Sequence, residues 1–484
     1  MYLMKKKIIL NNQTMVKRKK YFLDKVKFLV ILGLLTVLAC SDGSDQGDSD
    51  NIDSKSISVY PESIVFPETM VSKSSATKNI NVTPNNLDAN IEVNVAGDFQ
   101  ISSDNVNFSN TISIDGNMMS TIYVRFQPTE TGNITSNLIF RSPGVSNVNV
   151  DLTGTAIRFR HNYKTFSNQR IAFGGGFNRS NIQSFDLHDE ITNIEMIKMY
   201  LRLDCPSGGC DPWDRYANIL IRDQISNEWY ELGRHITPYG VDNRVLDRGL
   251  EFDVTDFKSL LNGNVELKLF VDTWVAQGWV ISLEFDYFPG TPDYKYYKIS
   301  RIIQYNSNSL AGVPYGGEIR NGEISSPEQI EAKFDLKKSI QVGPNIDSAH
   351  IRTIISGWGH ATPADSDGRR CAEWCFRTHN IKIDDVNTFS HYMGPIGCSQ
   401  NPINNQGGNW TPDRAGWCPG MVVPVRINKF DNNISGKNMS YEYDFKDWVN
   451  DFQTTTDNKN GYYAISSFLV LKSNQEIQRA TIIE

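Results

Sequence analysis

The chain has 484 residues, a net charge of -7, 39% hydrophobic and 21% charged residues. That length allows about three domains, and the composition excludes a disordered chain. The acidic balance leaves no basic stripe of the kind that binds nucleic acid.

The first 27 residues are basic, with Lys5, Lys6, Lys7, Lys17, Arg18, Lys19, Lys20, Lys25 and Lys27. Phe28 to Thr36 is an apolar run too short to span a bilayer, and it leads into Val37-Leu-Ala-Cys40. This layout is that of a secretory signal. The cysteine after a small residue resembles a bacterial lipobox, which implies cleavage before Cys40 and lipidation of its side chain. The alternative is a plain signal peptide. Residues 41–56 are an acidic, Gly/Ser-rich tether, a composition that cannot bury a core. An acidic run after a lipid cysteine resembles a surface-export signal, with a simple spacer as the competing reading. The expected location is therefore the outer membrane of a Gram-negative bacterium, facing outward, with the lipid as the sole membrane contact.

Residues 57–157 read as short strands. Ile91, Val93 and Val95 alternate with polar residues, as do Ile122, Val124, Phe126 and Val148, Val150, Leu152; turn signals separate them. This predicts an immunoglobulin-like β-sandwich, a spacer or a docking module for a surface complex. Residues 158–308 form a second β-unit. Ile197, Met199, Leu201 and Leu203 line one face of a strand that feeds Asp204-Cys-Pro-Ser-Gly-Gly-Cys-Asp-Pro-Trp-Asp214-Arg215. Val265, Leu267, Leu269 and Val271 form another apolar face, so Asp272 is expected to point away from the core. Residues 309–484 are a third strand-rich unit, and no long amphipathic helix is legible.

Without Cys40, six cysteines remain: Cys205, Cys210, Cys371, Cys375, Cys398 and Cys418. Sequence alone does not select their pairing; short loops are the first guess. An exported protein sits in an oxidising space, which favours disulfides over a metal site. The seven histidines are scattered, no metal cluster is legible, and no cofactor is expected.

Three carboxylates stand beside tryptophans. Asp214 follows Trp213, Asp272 precedes Trp274, and Glu373 lies in Cys371-Ala-Glu-Trp374-Cys375. Two acids on rigid loops flanked by indoles suit general acid/base work on a carbohydrate-bearing substrate, with apolar rings raising one carboxyl pKa. Arg215, Arg377 and Arg414 are candidates to orient a carboxylate or polarise a carbonyl, and His360 to line the cleft. A solvated surface charge is the competing reading for each acid. On residues alone, paired carboxylates make glycoside hydrolysis the default.

Longer words carry more. Cys205-Pro-x-x-x-Cys210-Asp-x-Trp-Asp-Arg-Tyr-Ala-Asn218, Ile236-Thr-Pro-Tyr239, Ser356-Gly-Trp358-Gly-His360-Ala361, Cys371-Ala-Glu-Trp-Cys-Phe-Arg-Thr-His379 and Pro412-Asp-Arg414-Ala-Gly-Trp-Cys-Pro-Gly-Met421 resemble the peptide-N-glycosidase F family, over about residues 186 to 475. The resemblance implies an all-β chain: two tandem eight-stranded jelly-roll β-sandwiches behind the immunoglobulin-like sandwich, with the site between them. It implies disulfides Cys205–Cys210, Cys371–Cys375 and Cys398–Cys418, and no metal. It implies hydrolysis of the β-aspartylglucosamine amide of N-linked glycoproteins or glycopeptides, giving Asp and a glycosylamine. Asp214 is then the water-activating acid, Glu373 binds the proximal sugar, and Arg414 supports Asp214 or the carbonyl oxygen. Trp213, Arg215, Tyr239, Trp274, Trp358, His360 and Trp374 fall at substrate-facing positions. The resemblance places a third catalytic acid at Asp272, where the chain departs from the family's longer Glu. An endoglycosidase and a non-catalytic glycan-binding lipoprotein are the alternatives.

Overall fold

The computed structural model describes residues 54–305, 313–314, 318–319, 323–324, 336–361, 371–446 and 462–483; at 313–314, 318–319, 323–324, 360–361 and 371 this extends to the backbone alone. Cys40 and the tether up to residue 53 lie outside the described residues. The described chain is all-β, interrupted by 3-10 turns of three residues such as Ile191–Asn193 and Thr255–Phe257.

The first unit is the expected sandwich. Ser56–Tyr60, Lys78–Asn85, Ser120–Phe126 and Phe99–Ser102 form one sheet. Val148–Ile157, Gly132–Arg141, Ile91–Val95 and Thr111–Ile114 form the other, with Ser63–Val65 and Thr69–Met70 added parallel to Val148–Ile157. The alternating residues read from the sequence point inward, since Ile91, Val93, Ile122, Val124, Val150 and Leu152 are all buried. They close around Phe66, Phe99 and Phe126, whose rings lie 4.9 to 6.1 Å apart.

The second unit pairs Ile194–Asp204, Trp279–Pro289 and Leu250–Asp253 in one sheet, and Ser180–Asp186, Asn264–Val271, Tyr216–Arg222 and Trp229–Ile236 in the other. The edge of the first sheet is interrupted: His161–Lys164 and Gln169–Ile171 both pair with Trp279–Pro289. Counted as one broken strand, they complete four against four. In the third unit, Tyr296–Tyr305, Tyr462–Ser473, Ser348–Trp358 and Val425–Lys429 face Val386–Met393, Arg377–Ile383, Asn438–Asp444 and Lys337–Gln341; Thr481–Ile483 adds a further edge strand to the latter sheet.

One expected boundary moves. Tyr296–Tyr305, assigned with residues 158–308, is a strand of the third unit, paired with Tyr462–Ser473 over nearly its full length. The turn between the sandwiches is Gly290–Lys295. Strand pairing is a long-range choice that the alternation of one strand does not reveal.

The two sandwiches are pinned together by a buried charge network. A register shift lies between Ile219 and Leu220 where they pair with Gly233 and Glu231. In a regular strand, residues three apart face opposite sides; the bulge turns Glu231 and Arg234 to the same side. Arg234 donates to both carboxylate oxygens of Glu231 at 2.9 and 2.7 Å. Across the interface it donates to the Ser356 hydroxyl at 2.9 Å and the Ala464 carbonyl at 2.6 Å, while Ser466 donates to Glu231. Both ions have fully buried side chains. Removing one partner strands the other without water, which costs about 3–5 kcal/mol. Arg234→Met is therefore expected to lower the unfolding free energy by that order in urea titration; an unchanged midpoint would mean Glu231 is repaired from elsewhere.

Candidate active site

The groove site starts from the cysteine-pinned loop. The Cys205–Cys210 disulfide brings the two Cα atoms to 4.5 Å and delivers Asp211 into the interior with no exposed surface. A buried carboxylate must find donors, and Asp211 has four: Arg215 Nε at 2.8 Å and Nη2 at 3.2 Å, the Thr273 hydroxyl at 2.6 Å, and the Trp213 backbone N–H at 3.0 Å. Asp211 thus ties the Trp213–Asp214 loop to the Thr273–Trp274 loop. It did not stand out in the sequence, because its pairing with Thr273 spans strands distant along the chain.

Asp214 leaves this loop just before the strand Tyr216–Arg222. Glu373 comes from the third unit, held by its backbone: its N–H donates to Gly359 O at 3.0 Å, and its carbonyl accepts from Ala415 N at 2.7 Å. Cys375 beside it is buried and disulfide-bonded; the side chains of Cys371 and His360 fall outside the described residues.

Between the two acids lies Arg414, whose side chain is 1% exposed. Backbone carbonyls of Pro412 and Asn409 take its Nη1 and Nη2 at 2.8 and 2.6 Å. Its Nη2 also donates to the Tyr239 hydroxyl at 3.1 Å. Trp374 and Trp417 cover the guanidinium at 4.6 and 5.3 Å. Its Nη2 lies 3.6 Å from Asp214 Oδ2, and its Nε 3.7 Å from Glu373 Oε1. Nε has no hydrogen-bond partner, so it is left to face Glu373 and whatever enters beside it. The Cys398–Cys418 disulfide and Asp413, which accepts the N–H groups of Ile396, Gly397 and Cys398, brace the Arg414 loop from behind.

One buried cation cannot fully offset two carboxylates. Burial pushes Asp214 up to about 6, against the opposing pull of a Tyr239 hydrogen bond and the Arg414 charge. Burial, then the Asp214 charge, push Glu373 up to about 8, against Arg414. Near neutral pH the site therefore holds a carboxylate at Asp214 and a protonated acid at Glu373, an environment-driven split of two like groups.

The remaining expected residues divide. Tyr239 is buried and bonded to Asp214 and Arg414. Trp213 and Trp274 are open, at 57% and 46% exposure. Arg215 gives its Nε and Nη2 to Asp211, and its charge acts on Asp214 and Asp272. Trp358 serves the interface between sandwiches: it stacks on Trp417 at 4.4 Å, meets Tyr216 edge-on at 5.7 Å, and gives its N–H to Ser356. Asp272 points off the core as expected, but it pairs with Arg179 at 3.2 Å, a partner the sequence reading missed.

Two β-sandwiches each give one acid to a common buried arginine in the groove between them. Residues 217–287 match "Peptide-N-glycosidase F, N terminal" and residues 326–470 match "Peptide-N-glycosidase F, C terminal". A peptide-N(4)-(N-acetyl-beta-D-glucosaminyl)asparagine amidase F of Elizabethkingia miricola is 50% identical over 322 residues, 66% of this chain and 86% of that protein. The solved structure of peptide-N-glycosidase F, a glycosylasparaginase from Flavobacterium meningosepticum, superposes with TM-score 0.62 at 49% identity, covering 67% of this chain and 100% of that one. A structure of PNGF-II, 12% identical, shares the fold with TM-score 0.55 over 80% of this chain and 100% of its own. The chain belongs to the peptide-N-glycosidase F family.

Because the Tyr239 hydrogen bond favours ionised Asp214, its removal should raise the Asp214 pKa further. Tyr239→Phe is expected to shift that titration upward by about one unit, the worth of a hydrogen bond to a charge, read by carboxyl infrared bands against pH. A downward shift would show that Tyr239 acts on Asp214 through something other than donation.

Proposed function

We propose that the chain is a peptide-N4-(N-acetyl-β-glucosaminyl)asparagine amidase acting on N-linked glycoproteins or glycopeptides. The observation that carries the reading is the Asp214–Arg414–Glu373 cluster, a buried arginine between two partly buried acids, in a chain 50% identical over 322 residues to a peptide-N(4)-(N-acetyl-beta-D-glucosaminyl)asparagine amidase F. Asp214, ionised near neutral pH, takes a proton from water as its oxygen bonds the side-chain amide carbon of the glycosylated Asn. The Arg414 N–H groups offset negative charge on the former carbonyl oxygen in the tetrahedral intermediate. The C–N bond then breaks, and the proton held by Asp214 passes to the departing nitrogen. The products are Asp in the peptide and a glycosylamine. Glu373, protonated, donates a hydrogen bond to the proximal sugar and keeps the linkage over Asp214. The open faces of Trp213 and Trp274 suit stacking on sugar rings.

The N-terminal pattern supports export with lipidation at Cys40, an outer-membrane address facing outward, and a role for residues 57–157 as spacer or docking module. Cys40→Ser should leave the chain out of the membrane fraction.

Digestion of a denatured N-glycoprotein should give peptides carrying Asp in place of glycosylated Asn, and Asp214→Asn should lose about a thousandfold or more in kcat, on the scale of removing a general base. A sugar retained on Asn would instead identify an endoglycosidase, and binding without release a lectin. The pH profile of kcat/KM should be bell-shaped. It rises as Asp214 ionises near pH 6 and falls as Glu373 loses its proton near pH 8, and the two limbs belong to the coupled pair.

A further inference from the structure

Beside the groove, the segment from Phe173 to Arg179 makes a loop that the reaction scheme does not use. Gly174, Gly175 and Gly176 all take left-handed φ, at 78, 61 and 88°, which side chains resist. The chain therefore reverses tightly and is stitched on both sides of the Asp272–Trp274 turn. Phe173 N donates to Val275 O at 3.0 Å, and Val271 N to Arg179 O at 2.9 Å. The result is a layered cluster. The Arg179 guanidinium lies 3.6 Å over the Trp274 ring and 4.5 Å over the Phe173 ring, and its Nη1 meets Asp272 at 3.2 Å.

Such a cluster fixes the Trp274 ring. A free indole at the rim has rotamers to lose on binding; one stacked on a cation that is itself anchored does not. It also fixes Asp272. The arginine holds its short carboxylate in one position. Trp274 and Phe173 remain open to solvent, at 46% and 43% exposure, and Arg179 keeps 19% of its side chain accessible.

We propose that Arg179 is a positioning residue for the sugar next to the scissile amide. It acts through Asp272 and Trp274, as the partner that lets a short acid do the work of a longer one. This rests on the amidase reading above. The ligand is a neutral N-acetylated hexose: its ring carbons stack on the open face of Trp274, and its hydroxyl or acetamido N–H donates to Asp272.

The test compares the full chain with Arg179→Gln, Asp272→Glu and the double variant on one N-glycopeptide, with kcat, KM and melting temperature measured together. For Arg179→Gln the KM should rise about tenfold with kcat within about threefold, since ground-state positioning is lost while the chemistry remains. Adding Asp272→Glu to Arg179→Gln should bring kcat/KM back to within about threefold of wild type, a non-additivity that only coupled residues show. The proposal is overturned by an unchanged KM in Arg179→Gln. It is also overturned by a double variant no better than Arg179→Gln, or by losses that track melting temperature alone, as a structural ion pair would give. A wild-type chain that never converts Asn to Asp defeats the amidase reading and this one together; an active wild type with an indifferent Arg179→Gln defeats this one only.

Discussion

Arg414 is the constraint on which the site depends. It is a buried cation from one sandwich that reaches an acid of the other, and with its Nη groups held by backbone carbonyls and Tyr239 it meets both carboxylates only at a distance. Had it bonded either acid tightly, that acid would be ionised well below neutral pH and the site would be a structural ion pair. At 3.6 and 3.7 Å it stabilises without saturating, and burial then holds one carboxyl protonated beside an ionised one. Burial, and the Asp214 charge acting on Glu373, turn two acids of similar intrinsic strength into groups with different work to do, while the shared arginine offsets both.

That balance holds only if the sandwiches keep their distance. Arg234 and Glu231 do this beneath the groove, with Ser356, Ala464 and Ser466 supplied by the third unit. Backbone bonds from Ile236 to Met421 and from Val423 to Arg234 continue the seam toward the Arg414 loop. The stacked Trp358 and Trp417 fill the space between seam and site. Trp358, read from the sequence as substrate-facing, packs here between the sandwiches, while among the described residues the exposed indoles are Trp213 and Trp274.

The sequence was informative where a signal is local. Period-two alternation located the strands around Val93, Val124, Leu201 and Leu267, all buried on the expected face, and the words around Asp214, Glu373 and Arg414 named the residues the groove brings together. It was silent where a signal depends on which strands meet. The move of Tyr296–Tyr305 to the third unit, the four donors of Asp211 and the Arg179–Asp272 pair each need residues far apart along the chain. The Gly174–Gly176 run was visible, but the arginine it delivers could be recognised only once Asp272 was seen beside it.

The account turns on the claim that burial, with the Asp214 charge opposed by Arg414, sets the state of Glu373. The most direct measurement is the titration of the Glu373 carboxyl, by infrared or carbon NMR, in the native chain and in Asp214→Asn. The native group should titrate near 8, and removal of the neighbouring negative charge should move it down. A Glu373 that titrates at the ordinary carboxyl value in the native chain, or one unmoved by Asp214→Asn, would contradict the shared-arginine account.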